Sequence, residues 1–454
     1  MRLTGLRLLV GSSLLCALSA RGAVRPHYGG TLRVEMRTAP MSLDPAESNQ
    51  PDWPGSRNLF SLLFETLVSL DEQSKPEPAL ASSWQAEPGN QRWQFFLRHG
   101  ITFQDGTAVT PEAVATSLRR TNPTWKVFSE GEAIIIERDS PTPDLPVELT
   151  LPRNSIVKRE GGRVSGTGPF AVLQWDPGKK LSLTARDDYW DGRPFLDTIE
   201  IALGKNFREQ MISFDLGKAQ LIEIAPEQAH RAAAEGRRVL SSAPVELIAL
   251  VFTRDPQSPA DGRQRQALAL SIDRDLLSTV VLQGGGEPTG GLLPNWITGY
   301  GFLFPASINL ELARQVRSEI PHTTAWTLGY DATDPTARVI AERIVLNARD
   351  AGLGIQIASA SGVDLRIVRI PVISLDARIA LGELATGLGF PQPKFGSNSI
   401  DDLYSAESKL LQSQRVIPLL HVRAEYGVAG TVRNWRTARD GSWDLPSVWL
   451  AEKP

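Results

Sequence analysis

The chain has 454 residues, 41% of them hydrophobic and 22% charged, with a formal net charge of −3. That balance fits a globular protein of two or three domains and excludes wholesale disorder. A mildly acidic chain also lacks the concentrated basic face that nucleic acid requires, so no nucleic-acid partner is expected.

The first residues, MRLTGLRLLVGSSLLCALSARGA, have the layout of an export signal. Arg2 and Arg7 supply the basic start, Leu8 to Leu18 the apolar stretch, and Ala17, Ser19, Ala20 and Gly22 the small residues for cleavage. The stretch is shorter than the ~20 residues a bilayer span needs. Residues 1–22 are therefore expected to be a cleaved signal peptide, and the mature protein periplasmic. Cys16 is the single cysteine. Leu15 precedes it where a lipoprotein signal wants a small residue, which argues against anchoring there. A mature chain without cysteine has no disulfide, no cysteine-ligated metal and no thiol catalysis.

GGTLRVEM (Gly29 to Met36) alternates Leu32, Val34 and Met36, the period of a strand. The next segment, APMSLDPAESNQPDWPG, is loop by its Pro, Asp and Gly content. NLFSLLFETLVSL (Asn58 to Leu70) has helical spacing. WQFFL predicts a strand and Asp105-Gly106 a tight turn. Thr110-Pro111 then opens a helix, with Thr as N-cap and Pro in the first turn. AIIIE and PVELTLP read as strand-like islands.

GTGPFAVLQWDPGKKLSLTARDDYWDG (Gly166 to Gly192) reads as a hairpin around DPGKK, with a charged turn after it. DTIEIAL is a strand, and FREQMISFDL a helix ended by Gly217. VELIALVF (Val245 to Phe252) is a nearly continuous apolar run, which predicts a strand buried on both faces in the manner of a parallel sheet. RQALALSIDRDLLSTVVLQG makes two helical pieces, the second capped by Asp273. Asp334 and Pro335 open a helix with Ala337, Ile340, Ala341, Ile344, Val345 and Ala348 as its apolar stripe, and Gly352 ends it. Strands alternate with helices, so the class is α/β.

Catalytic patterns are missing. His27, His99, His230, His322 and His421 lie far apart, with no HExxH, and each reads as a structural or surface histidine. There is no GxSxG elbow. Gln283-Gly284-Gly285-Gly286 is followed by no Lys-Ser or Lys-Thr, so it is not a phosphate loop. These glycines suit a sharp turn or a close backbone approach. Asp187, Asp188 and Asp191 sit beside Arg186 and Arg193, as in a solvated charged loop. No cofactor, no metal and no catalytic residue are expected, and the chain does not read as an enzyme. Eleven tryptophans are present. Trp53, Trp125, Trp190, Trp296 and Trp435 fall in loops, where they bury against their own domain or line a ligand cleft.

Several collinear blocks resemble the extracellular solute-binding proteins of ABC importers, family five, the peptide, dipeptide and nickel binders. They are GGTLRVEMRTAPMSLDPA, LFETLVSLD, PALASSWQAEPGNQRWQFFLRHGITFQDGTAVTPEAVATSL, GTGPF with YWDGRPFLDTIEI, RQALALSIDRDLL and AERIVLNARDAGLGIQI, with a weaker echo in IPLLHVRAEYGVAGTV. The resemblance implies a two-lobed α/β fold of the type II periplasmic-binding-protein kind, with an extra subdomain on lobe one. Lobe one would hold residues 23–45, 165–253 and 416–454, the subdomain 46–164, and lobe two 254–415. VELIALVF and Val416 to Val428 would cross between the lobes, and the GTGPF hairpin would pack on the sheet of lobe one. Gly166 and Gly168 would there supply backbone angles that other residues disfavour.

The same resemblance implies an exported binding component that captures a peptide or similar small solute between its lobes by hinge closure. It would act as a monomer and deliver the solute to an ABC permease in the membrane. The section after GIQIA is shorter here than in the family. No position matches the acidic residue that pairs with a peptide's amino terminus in peptide binders, although Asp364 and Asp376 lie nearby. Expected ligand contacts are Asn49 and Trp53 in the first loop, Arg254 past the first crossing, and Trp296, Tyr300 and Phe390 in lobe two. Asn and Arg would anchor polar groups and the aromatic residues would wall the cleft. The shortened second lobe motivates an alternative, a ligand-sensing or chaperone-like protein that keeps the fold without transport. A secreted hydrolase is disfavoured by the missing motifs.

Overall fold

The computed structural model describes residues 25–452, except 48–53, 72, 74, 302, 359–361 and 397. The expected signal peptide with Cys16, and Asn49 and Trp53, therefore lie outside the described residues.

An 11-stranded mixed sheet organises the chain. Two long strands, Val239–Phe252 and Val416–Val428, pair antiparallel along its middle. On one side of this pair, Leu221–Ile224 runs antiparallel to the second long strand. Thr31–Glu35 lies parallel between Leu221–Ile224 and Thr198–Ala202. The hairpin Phe170–Asp176 and Lys180–Ala185 closes that edge. On the other side, Leu365–Pro371 runs antiparallel to the first long strand, followed by the parallel strands Trp326–Gly329 and Ile355–Ile357. A separate four-stranded antiparallel sheet, Ala81–Ala86, Arg92–Leu97, Ala133–Glu137 and Lys126–Glu130, carries the helix Pro111–Thr121.

Each half of the large sheet has its own apolar core. Leu32, Val34, Phe170, Leu183, Ile199 and Leu221 pack in the first half. Ile248, Leu250, Ile340, Ile344 and Leu365 pack in the second. The separate sheet buries Phe95, Ile134 and Ile136 against Val114 and Leu118. Burying one such side chain contributes about 1.5–3 kcal/mol, so the three cores hold the chain together without a disulfide. Local chemistry starts the helices where the sequence marks them. Thr110 accepts from the Ala113 amide at 3.2 Å ahead of Pro111. Asp334 accepts from Thr336 at 2.9 Å ahead of Pro335.

Four expectations are corrected. The apolar run Val245–Phe252 has antiparallel neighbours on both sides. It is apolar because helices cover both faces, Leu247 and Ala249 entering one layer and Ile248, Leu250 and Phe252 the other. The segment expected to be helical over Asn58–Leu70 is a helix only over Pro54–Ser61, and Val68–Leu70 is a strand paired with Pro76–Pro78. In PVELTLP, Leu145–Glu148 is a short helix rather than a strand. Gly166 and Gly168 have no left-handed backbone angles. A Cβ on Gly166 would collide with the Leu63 carbonyl, so close approach excludes a side chain there.

Candidate functional site

Strand direction brings the site together. Thr31–Glu35 and Leu221–Ile224 end on the same edge of the first half-sheet. Leu365–Pro371 and Trp326–Gly329 end on the facing edge of the second. The two edges meet across the middle of the long strands, near Glu246 and Glu425. Ligands in open α/β sheets bind outside the carboxyl ends of strands, and a cavity of ≈ 730 Å³ occupies that place. The first turns of the helices Pro54–Ser61, Phe207–Asp215 and Pro226–Ala234 also border it.

Its lining is charged. Glu223 follows from the end of its strand and is fixed by a polar clip. The Arg37 amide donates to its carboxylate at 2.6 Å, and buried Gln210 bonds both its carboxylate and its amide, at 3.4 and 2.8 Å. Burial raises the Glu223 carboxyl above its usual range, against the pull of these donors and of Arg37. Glu425 is buried beside it, accepts from the Ser241 hydroxyl, and is raised by burial too.

On the opposite side Arg369 reaches Glu246 at 2.6 Å and Asp334 at 3.0 Å. Burial alone would lower its proton affinity, but the two carboxylates raise it, so the guanidinium is charged. Asp331 accepts the amide and hydroxyl of Thr333 at 2.9 and 2.8 Å, which lowers its carboxyl. Alternation along the strands puts Glu246 and Arg369 on the same face as Ile248, Leu250 and Ile367.

A second cavity, ≈ 460 Å³, is lined by Trp296, Asp376, Arg378 and Arg439. Helices Ala377–Gly387 and Ile400–Gln412 begin at its wall, and these pack on the face that carries Leu247 and Ala249. Two ion pairs tie the separate sheet's domain to this side. Arg378 meets Asp144 at 2.9 Å, and Arg153 makes a two-pronged contact with Glu383.

The expected contact residues fall in different places. The first loop borders the larger cavity through Glu47 and Pro54, on either side of the undescribed Asn49 and Trp53. Trp296 lines the smaller cavity. Its indole donates to the Pro244 carbonyl at 2.8 Å, and the Arg439 guanidinium lies 5.3 Å over its ring. Tyr300 donates to buried Glu407 at 2.7 Å and lines neither cavity. Phe390 packs under Arg415, 4.8 Å from the guanidinium. Arg254 has an exposed side chain 3.4 Å from Asp364, also outside both cavities. Asp364 is held by Thr327 at 2.8 Å, whereas Asp376 caps a helix at the wall of the smaller cavity.

Glu223, Glu246, Asp331, Arg369 and Glu425 were not anticipated. Glu223, Glu246 and Arg369 interrupt apolar strand runs, and that interruption is the signal that could have found them; Glu425 lies within Val416–Val428 and Asp331 just past Trp326–Gly329, with no such signal. Among the described residues, no group of three or more His, Cys, Asp or Glu is arranged to hold a metal, and no helix is long and apolar enough to cross a membrane.

Comparison with known proteins gives a consistent answer. The family model described as bacterial extracellular solute-binding proteins, family 5, matches residues 75–369. The nickel-binding protein NikA of Staphylococcus aureus is 24% identical over 379 residues, which is 79% of this chain and 75% of NikA. The uncharacterized protein YhjP of Bacillus subtilis is 32% identical over 242 residues, which is 50% of this chain and only 39% of YhjP. Among solved structures, Staphylococcus aureus NikA in complex with Ni(L-His)2 superposes with a TM-score of 0.78 at 18% identity, covering 92% of this chain and 99% of that one. The oligopeptide-binding protein AppA of Bacillus subtilis in complex with a nonapeptide also gives 0.78, at 16% identity, covering 94% and 100%.

Proposed function

The chain belongs to the bacterial extracellular solute-binding proteins of family 5, with their two-lobed type II fold, and from that premise we propose that it captures a peptide or similar small solute for an ABC importer. The solute would sit in the larger cavity, between a first lobe of residues 23–45, 165–253 and 416–454 with its subdomain 46–164, and a second lobe of 254–415. The protein would close on it by bending about the two long strands and deliver it, as an exported monomer in the periplasm, to a membrane permease. It would bind without transforming its ligand. The observation that carries this reading is the cavity itself, because charged groups from both halves and helix first turns from the first half converge on one space of ligand size.

Native mass spectrometry of the protein purified unrefolded from a periplasmic extract tests the reading. Gentle spectra should show a bound mass that denaturing spectra release as a small solute. A bare mass, unshifted by added peptide mixtures, would overturn it. That outcome would favour the sensing or chaperone-like alternative.

A further inference from the structure

The charges lining the larger cavity do not balance. Arg369 is neutralised by Glu246 and Asp334, and Arg423 by Glu287 at 2.6 Å. Among the described residues, Arg37 alone of the lining cations has no ion pair, and its guanidinium lies 4.4 Å over the Phe207 ring. The lining carboxylates Glu223, Asp331 and Glu425 differ from Glu246. Their hydrogen-bond donors are backbone amides, the Gln210 amide and the Ser241 and Thr333 hydroxyls, all neutral. None of the three has a cation within ion-pair distance among the described residues; Arg37 pulls on Glu223 and Asp331, and Arg423 on Glu425, only from farther off, so three carboxylates without an ion pair face one such cation.

Buried acids without a counter-ion are costly to keep ionised, and burial does raise the carboxyls of Glu223 and Glu425. A ligand that supplies the missing cations relieves that penalty. An anionic ligand adds to it, which is how like charge rejects a wrong partner.

We propose that the ligand of this cavity is net cationic: a small solute with two ammonium or guanidinium groups and at most one carboxylate, such as a basic amino acid or a short peptide containing one. Arg37 takes the carboxylate, and Glu223, Asp331 and Glu425 share the cations. This inference rests on the binding-protein reading and narrows it, since charge balance selects among solutes of similar size.

Calorimetric titration of the full chain with Ala-Lys-Ala, Ala-Ala-Ala and Ala-Glu-Ala tests it. The lysine peptide should bind at least about tenfold more tightly than the glutamate peptide. Glu223→Gln and Asp331→Asn should each shrink that ratio, with unfolding midpoints recorded to confirm that both variants fold. A glutamate peptide that binds as tightly as the lysine peptide, or a ratio that survives both substitutions, overturns the inference. Equal binding of all three peptides sinks the charge argument and leaves the binding-protein reading standing. Binding of none of them counts against both.

Discussion

The two cavities lie on opposite faces of the same long strands, yet they are built differently. The larger one is walled by charges that emerge from buried strands, and its one strong internal ion pair, Arg369 with Glu246 and Asp334, belongs to the floor. The smaller one has an aromatic wall at Trp296, and the ion pairs on its side of the molecule are partly solvated clasps between distant segments. Alternation along a strand permits this, since successive residues enter separate layers. Burial then decides the weight of each charge. A buried pair leaves a costly orphan when broken, and a solvated pair does not.

The largest effect should come from Arg369→Leu, which strands two carboxylates in the floor. A loss of about 3–5 kcal/mol is expected in urea unfolding. A loss below about 1 kcal/mol would erase the distinction between the two faces.

His421 gives an intermediate test on the second long strand. It is buried against the Leu292 carbonyl at 2.9 Å, and burial lowers its pKa from 6.5 to about 4. Between those values the unfolded chain binds the proton and the folded one does not. Stability from this residue is therefore full above pH 6.5 and lost as pH falls towards 4. The raised carboxyls of Glu223, Glu407 and Glu425 act in the opposite sense, stabilising at low pH and losing that contribution as pH rises. The difference between the wild type and His421→Gln removes those common contributions. The wild type should lose about 3 kcal/mol relative to the variant across this window. A flat difference would show that the imidazole protonates in place.

The smallest effect should come from the clasps. Arg153→Ala should cost about 1 kcal/mol or less, because its side chain and that of Glu383 are 27% and 22% exposed. Arg153→Ala combined with Arg378→Ala should enlarge the radius of gyration in X-ray scattering, and salt should reproduce part of that change in the wild type. An unchanged radius would mean that the clasps decorate this arrangement without holding it.

Much of the fold was legible because local chemistry and tertiary structure agree. Thr110-Pro111 and Asp334-Pro335 carry their caps in the sequence, and Gly217 and Gly352 adopt the left-handed angles that end helices. The segment after Asn58 was misread because apolar spacing there serves two different packings, a short helix and then a strand under the separate sheet. The Gly166 reading failed in kind, since space against Leu63 and not backbone angle excludes a side chain. The site was the least legible part. Its charges come from segments more than three hundred residues apart, as Arg37 and Arg369 are, and only the strand directions reveal that Arg37, Glu223 and Arg369 face one space. Of the expected aromatic contacts, Tyr300 serves as a hydrogen-bond partner of Glu407 and Phe390 packs under Arg415, whereas Trp296 lines the smaller cavity.

The order in which the chain is made has a consequence for how it reaches this structure. Asn58 bonds the Gly441 carbonyl across a sequence separation of 383 residues, and Arg57 reaches Asp440. Tyr426, Trp435 and Trp443 from the last thirty residues fill the same core as Leu32 and Val34 from the first. A nascent chain therefore cannot complete its first core until residues 426–443 have been made. Contacts of such range are slow to form. Losing residues 425–454 should therefore leave the beginning of the chain, rather than the segments between, without a fold.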